Sequence, residues 1–129
     1  MAAYFVDSSA LVKRYVSEAG TAWLQSILDP QTHNPTISAR ATWVGVLSAF
    51  ARRQREGTLL PNQVVQAARF FRYDLDTQYQ VVELASALRI LPVFARISST
   101  SLVFLSADDR LLCAASAEGL AAENPDHHA

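Results

Sequence analysis

Two aspartates stand where a short apolar run gives way to a helix, Asp7 after Tyr4-Phe5-Val6 and Asp108 shortly after Leu102-Val103-Phe104-Leu105. In open parallel sheets ligands collect outside the carboxyl ends of the strands, so both acids are aimed at the rim where chemistry is done. If the two strands are neighbours the carboxylates converge, which is unfavourable unless a cation neutralises them. Mg2+, or Mn2+ in its place, suits such hard oxygen donors, and Mg2+ commonly takes one or two carboxylates while keeping waters. An ion held there can activate water and stabilise charge on a phosphoryl oxygen, the two needs of phosphodiester hydrolysis. Ser9 and Ser106 flank the acids, and their hydroxyls could orient a carboxylate or a water. Each acid also has a plainer role: Asp and Ser are favoured N-caps, and Asp7, Ser8, Asp108 and Asp109 all stand at helix starts. Capping explains each position singly; the pairing of two strand-end acids is what points to a site.

The elements that must position these groups alternate along the chain. Tyr4 to Val6 reads as a strand and Ala10 to Tyr15 as the helix it feeds, followed by a second helical stretch from Gly20 to Leu28 closed by Asp29-Pro30. Thr36 to Ser38 can be a brief strand, with Ser38 the N-cap of a long helix that runs to Glu56 and stops at a left-handed Gly57. Trp43, Val46, Leu47 and Phe50 form its expected buried stripe. Pro61 opens a further helix carrying Val64, Val65, Ala68 and Phe71, and Asp74 to Thr77 ends it. Tyr79 to Leu84 follows as a strand, and Ala85 to Ile97 as a helix interrupted at Pro92. Ser101 to Ser106 is a continuous apolar run expected to be buried on both faces. It leads into a helix with Leu111, Leu112, Ala115 and Glu118, capped by Gly119, then a last strand from Leu120 to Glu123. Strands alternating with helices imply an α/β fold with a short central parallel sheet flanked by helices.

With half of its 129 residues hydrophobic and 18% charged, the chain is expected to fold as one domain over residues 1–123, with residues 124–129 as an exposed tail. The net charge of −1 argues against coating nucleic acid by bulk charge, so any such contact is local. A lone Cys113 excludes an internal disulfide and a cysteine zinc site, in keeping with a reducing cytoplasm. No apolar run approaches the ~20 residues of a membrane span, and Met1-Ala2-Ala3-Tyr4 is too short for a signal peptide. The expectation is a soluble, cytoplasmic protein.

Several segments, in order, carry a family resemblance. Val6-Asp7-Ser8-Ser9-Ala10-Leu11-Val12-Lys13 resembles the opening of PIN domains, and Ser48 to Gly57 is similar to the end of their long helix. Leu105-Ser106-Ala107-Asp108-Asp109-Arg110-Leu111-Leu112 resembles their late strand-helix junction, and Glu118-Gly119-Leu120 through Asn124-Pro125 their close. The resemblance covers nearly the whole chain and implies a three-layer α/β/α sandwich and a metal-dependent ribonuclease of the VapC toxin type. It further implies a cognate antitoxin as partner, a homodimer, and Mg2+ held by Asp7 and Asp108, with Asp109 an adjacent candidate. Two acids of that family are not found. Gly45 stands where the long helix usually carries Glu. A segment resembling Leu-Arg-x-x-Asp-Ala-x-x-Leu is missing where Val82-Glu83-Leu84 runs almost directly into Ala85-Ser86-Ala87-Leu88. Fewer fixed ligands should weaken ion binding and impair catalysis. Glu83 is a conceivable substitute, although a surface role suits its place in a strand better.

Arg52, Arg53 and Arg55, with Lys13 and Arg14, could contact an RNA backbone, while basic residues at a helix end also simply suit its dipole. His127 and His128 belong to the expected tail. Cys113 and both tryptophans read as core. The leading expectation is an impaired Mg2+-dependent endoribonuclease; the alternative is a non-catalytic module binding an antitoxin, RNA or itself. A phosphoacceptor domain fits poorly, because Lys13 is the only lysine and none lies late in the chain to meet a phosphoryl group.

Overall fold

Along Ala2–Val6 the side chains alternate, Ala3 and Phe5 to one face, Tyr4 and Val6 to the other, and all are wholly or partly buried. A strand covered on both faces belongs in the middle of a parallel sheet, and there it lies. The structure, a computed structural model, describes residues 2–83 and 101–128. In order they form β1 (Ala2–Val6), α1 (Ser8–Leu11) continued by a 3-10 turn at Val12–Arg14, α2 (Thr21–Leu28), a 3-10 turn at Pro30–Thr32, β2 (Thr36–Ala39), α3 (Ala41–Arg55) and α4 (Pro61–Thr77). Then come β3 (Gln80–Val82), β4 (Ser101–Leu105), α5 (Asp109–Ala117), β5 (Ala121–Glu123) and a closing 3-10 turn at Pro125–His128. The helix expected over 85–97, with its break at Pro92, lies outside the described residues.

The five strands are parallel throughout and lie in the order β3-β2-β1-β4-β5. The fold is α/β, a parallel sheet flanked by helices, in keeping with a three-layer α/β/α sandwich. From β1 the chain steps to one side through β2 and β3, and β4 and β5 then fill the other, so the strand order reverses between β1 and β4. Val6 pairs with Leu105, so these two strands end level at that crevice.

The larger core lies on the Val6 and Leu105 face, where Leu11, Leu24, Leu28, Val46, Phe50 and Phe71 are buried. Phe50 and Phe71 meet edge-on at 6.4 Å, and Tyr15 packs edge-on against Phe71 at 5.5 Å, which fixes α3, α4 and the turn after α1 to one another. On the opposite face Ala3, Phe5, Ala39 and Leu102 cluster, with Phe5 stacked on Phe104 at 5.6 Å. Among the described residues, no helix is long and apolar enough to cross a membrane.

Several details depart from the sequence reading. Ser38 is not the cap of α3: it ends inside β2, fully buried, and its hydroxyl donates to the Ala39 carbonyl. Leu47 is 48% exposed because the buried stripe of α3 runs through Thr42, Val46 and Phe50 instead. Cys113 is exposed on α5, not core, and both Trp23 and Trp43 are only partly buried. β4 is not buried on both faces along its length, since Ser101 is exposed and Val103 and Phe104 are only half-buried. Gly57 does adopt a left-handed φ of 79°, and the Thr58 and Gly57 amides donate back to the Arg53 and Gln54 carbonyls to close α3.

The expected exposed tail is a 3-10 turn that is exposed at Asp126, His127 and His128 but anchored at its start. Asn124 and Pro125 are buried, His128 stacks on Trp23 at 3.8 Å, and Asp126 reaches the Lys13 ammonium at 2.6 Å. Gly20 makes this possible, because a Cβ there would collide with the Pro125 carbonyl, and its φ of 85° favours glycine independently.

Candidate active site

β1 and β4 end together, and the Asp7 amide donates to the Leu105 carbonyl at 2.9 Å, sealing the two strand ends. Immediately beyond, Asp7 takes an extended conformation as N-cap of α1 and Asp108 does the same for α5. The two acids therefore share one rim, at the point of reversal in the strand order where parallel α/β sheets place their ligands.

The serines join them. Ser9 Oγ donates to Asp7 Oδ2 at 2.7 Å, and Ser106 Oγ lies 3.2 Å from the same oxygen and 3.1 Å from Ser9 Oγ. Each hydroxyl also accepts a main-chain N–H, Ser9 from Ala107 at 2.9 Å and Ser106 from Asp108 at 3.0 Å. Two hydrogen bonds thus separate the Asp7 carboxylate from the main chain of Asp108. With Ser106 fully buried, the node is rigid and its serines are satisfied. Asp7 Oδ2 also accepts from Ser9 N, and Asp108 Oδ1 from Arg110 N, so the capping roles are real. Among the described residues the second oxygen of each carboxylate accepts no hydrogen bond. Asp109 opens α5 exposed to solvent.

No group of three or more His, Cys, Asp or Glu side chains that could hold a metal ion occurs among the described residues. A divalent ion at this rim would therefore rest on Asp7 and Asp108 and fill its sphere with water and substrate oxygens. That pattern is one Mg2+ tolerates, so the donors fit in kind while making a weak site. Gly45 has a packing role. A Cβ at this position would stand 2.8 Å from both Cβ and Oγ of Ser8, so α3 crosses α1 closely enough that a side chain here would force Ser8 to move. Glu83 is not drawn into the site; it pairs with Arg40 at 2.8 Å, both side chains well exposed.

The basic residues divide. Lys13 is buried between Glu18 at 3.2 Å and Asp126 at 2.6 Å. Burial pulls its ammonium down, but the hydrogen bonds to Asp126 and Glu18 outweigh that and leave it above the ordinary lysine value. Arg14 is turned inward onto Gln78 at 3.0 Å and the Tyr79 hydroxyl at 2.7 Å. Arg53 pairs with Glu18 at 3.0 Å, while Arg52 and Arg55 are exposed on the last turns of α3. Lys13 and Arg14 thus hold the fold together and could meet a phosphate only if these partners were released.

Asp126 was not visible as a partner in the sequence, because nothing local ties it to Lys13, and Glu18 lies five residues on, outside the spacing of a helical pair. The same holds for a buried polar cluster in which Tyr15 donates to Asp74 at 2.7 Å and also bonds Tyr79. Burial, joined by the charges of Tyr79 and Asp74, holds the Tyr15 phenol far above its ordinary range. Burial also pushes Tyr79 up to about 12, against the pull of Arg14. Comparison with family models and with curated proteins gives no match.

Proposed function

We propose that this chain is a PIN-type endoribonuclease of the VapC toxin kind, acting on RNA phosphodiester bonds at Asp7 and Asp108 with Mg2+ or Mn2+, and that its activity is weak. The observation that supports this reading most is the hydroxyl-bridged node linking Asp7 to Asp108 where β1 and β4 end level. Ser9 and Ser106 fix the rotamer of Asp7, and α5 fixes Asp108 through its cap. Neither acid has to reorganise to receive a ligand. When bound, the ion would neutralise phosphoryl charge and acidify water. Arg52 and Arg55 leave positive charge near the end of α3 for the RNA backbone. Val44, Leu47, Val65, Phe70 and Tyr73 keep apolar surface exposed on α3 and α4, which suits a protein partner such as an antitoxin or a second copy.

A second reading, a non-catalytic module for RNA, an antitoxin or itself, is favoured by one observation: any side chain at Gly45, a carboxylate included, would have to displace Ser8. RNA cleavage measured with and without Mg2+, beside Asp7→Asn, separates the two. Slow, Mg2+-dependent cleavage abolished by Asp7→Asn is expected. Fast cleavage indifferent to Asp7→Asn removes the site from consideration, and no cleavage with RNA or partner binding intact selects the second reading.

A further inference from the structure

Beside the Asp7 and Ser9 end of the rim, α1 and α3 leave a cavity of about 350 Å³ lined by Ser8, Ser9, Lys13, Glu18, Gly45 and Arg53. Its wall has more donors than acceptors. Arg53 gives Nη2 to Glu18 at 3.0 Å, but its Nη1 is shielded from solvent and has no acceptor among the described residues. A guanidinium presents five N–H donors in a fixed fork and has no acceptor of its own, so an unanswered pair in a buried setting is costly. Glu18 cannot answer it fully, because the same carboxylate serves Lys13 at 3.2 Å. Across the cavity the Ser8 hydroxyl makes no hydrogen bond among the described residues, and it faces Gly45, where no side chain competes for the space. Arg52, also on the wall, adds a further cation.

A wall with two guanidinium groups, an unused hydroxyl and an ammonium already held by Glu18 and Asp126 keeps one positive charge in excess of its carboxylates, which suits an oxyanion better than a divalent cation. We infer that this cavity is a phosphate subsite, with Arg53 its principal donor and Ser8 assisting, and that the phosphate it takes belongs to an RNA strand lying across the rim. That strand's neighbouring linkage would then fall at the Asp7 node. The position along the strand rests on the nuclease reading; the preference for an anion does not.

Binding of a fluorescent single-stranded RNA to the full chain, followed by anisotropy across a salt series without Mg2+, tests the subsite apart from cleavage. Arg53→Gln is expected to weaken binding about tenfold and to flatten the salt slope by roughly 0.7. Glu18→Gln, which removes the negative charge that competes for Arg53, is expected to tighten binding. A change of net charge alone would give these signs too, so Arg69→Gln, exposed on α4 away from the cavity, is the control: the subsite expects Arg53→Gln to weaken binding well beyond Arg69→Gln, and equal effects overturn it. Asp7→Asn should keep RNA binding, so a chain that cleaves nothing yet shows the opposite signs retains the subsite and loses the nuclease reading. Inorganic phosphate that competes with RNA in the native chain but not in Arg53→Gln marks a site open to free anion. Competition absent, with the Arg53 dependence intact, assigns the site to strand phosphates alone. Arg53→Gln binding RNA as the native chain does, or both variants weakening alike, overturns the inference.

Discussion

Arg14, Tyr15, Asp74 and Tyr79 show how a single hydroxyl ties stability to pH. Tyr79 ionises near 10.0 when unfolded and near 12 in the folded chain, the rise being due first to burial. Between those values the unfolded chain has released a proton that the folded chain retains, so stability is complete below the lower value and falls as pH rises through the window. Tyr79→Phe should make that fall shallower by up to about 1.4 kcal/mol per pH unit. Urea midpoints measured across the window check it, and an unchanged slope would show that the phenol is not buried as described. Little of this cluster was legible in the sequence, because Tyr15 and Tyr79 are brought together by the packing of α4 on the turn after α1. Ser9 and Ser106 were legible because each stands within two residues of its acid. The inward turn of Lys13 and Arg14 was not, since Asp126 and Asp74 come from distant segments and Glu18, five residues after Lys13, falls outside helical spacing.

At the scale of elements, the crossing of α1 and α3 decides what Gly45 does. Alanine there would gain helix propensity, about 1 kcal/mol over glycine, yet its Cβ would stand 2.8 Å from Ser8 Cβ, an atom fixed to the backbone. Overpacking of that kind costs typically ~1–3 kcal/mol, so Gly45→Ala is expected to lower the urea midpoint despite the better propensity, and Ser8→Gly to restore part of the loss. A stabilised Gly45→Ala would contradict the close crossing. In the sequence Gly45 stood out by the resemblance, at a place where Glu is usual; the position of Ser8 shows the packing. Helix and strand limits marked by Pro61, Gly57, Asp29-Pro30 and the β4 run were legible, since these signals are local. The anchoring of the C-terminal turn was missed, because Asn124-Pro125-Asp126-His127-His128 is polar by composition and is ordered by Gly20, Trp23 and Lys13 from far upstream. Leu47 and Cys113 were misplaced because helical spacing gives a stripe its period and not its phase.

Across the whole molecule, topology carries the functional reading. Asp7 and Asp108 stand a hundred residues apart, and only the placement of β1 beside β4, ending level at the reversal in strand order, brings them to one rim. The parallel α/β class was legible from the alternation of elements, whereas the strand order, and with it the meeting of the acids, required the fold itself. The central claim, that one divalent ion is shared by these carboxylates, is tested most directly by titrating the isotopically labelled chain with Mn2+ and reading which amide resonances broaden. The account expects broadening first at residues 7–9 and 106–109, reversed by excess Mg2+ and lost in Asp7→Asn. Broadening centred instead on His127 and His128, or unchanged in Asp7→Asn, would contradict it.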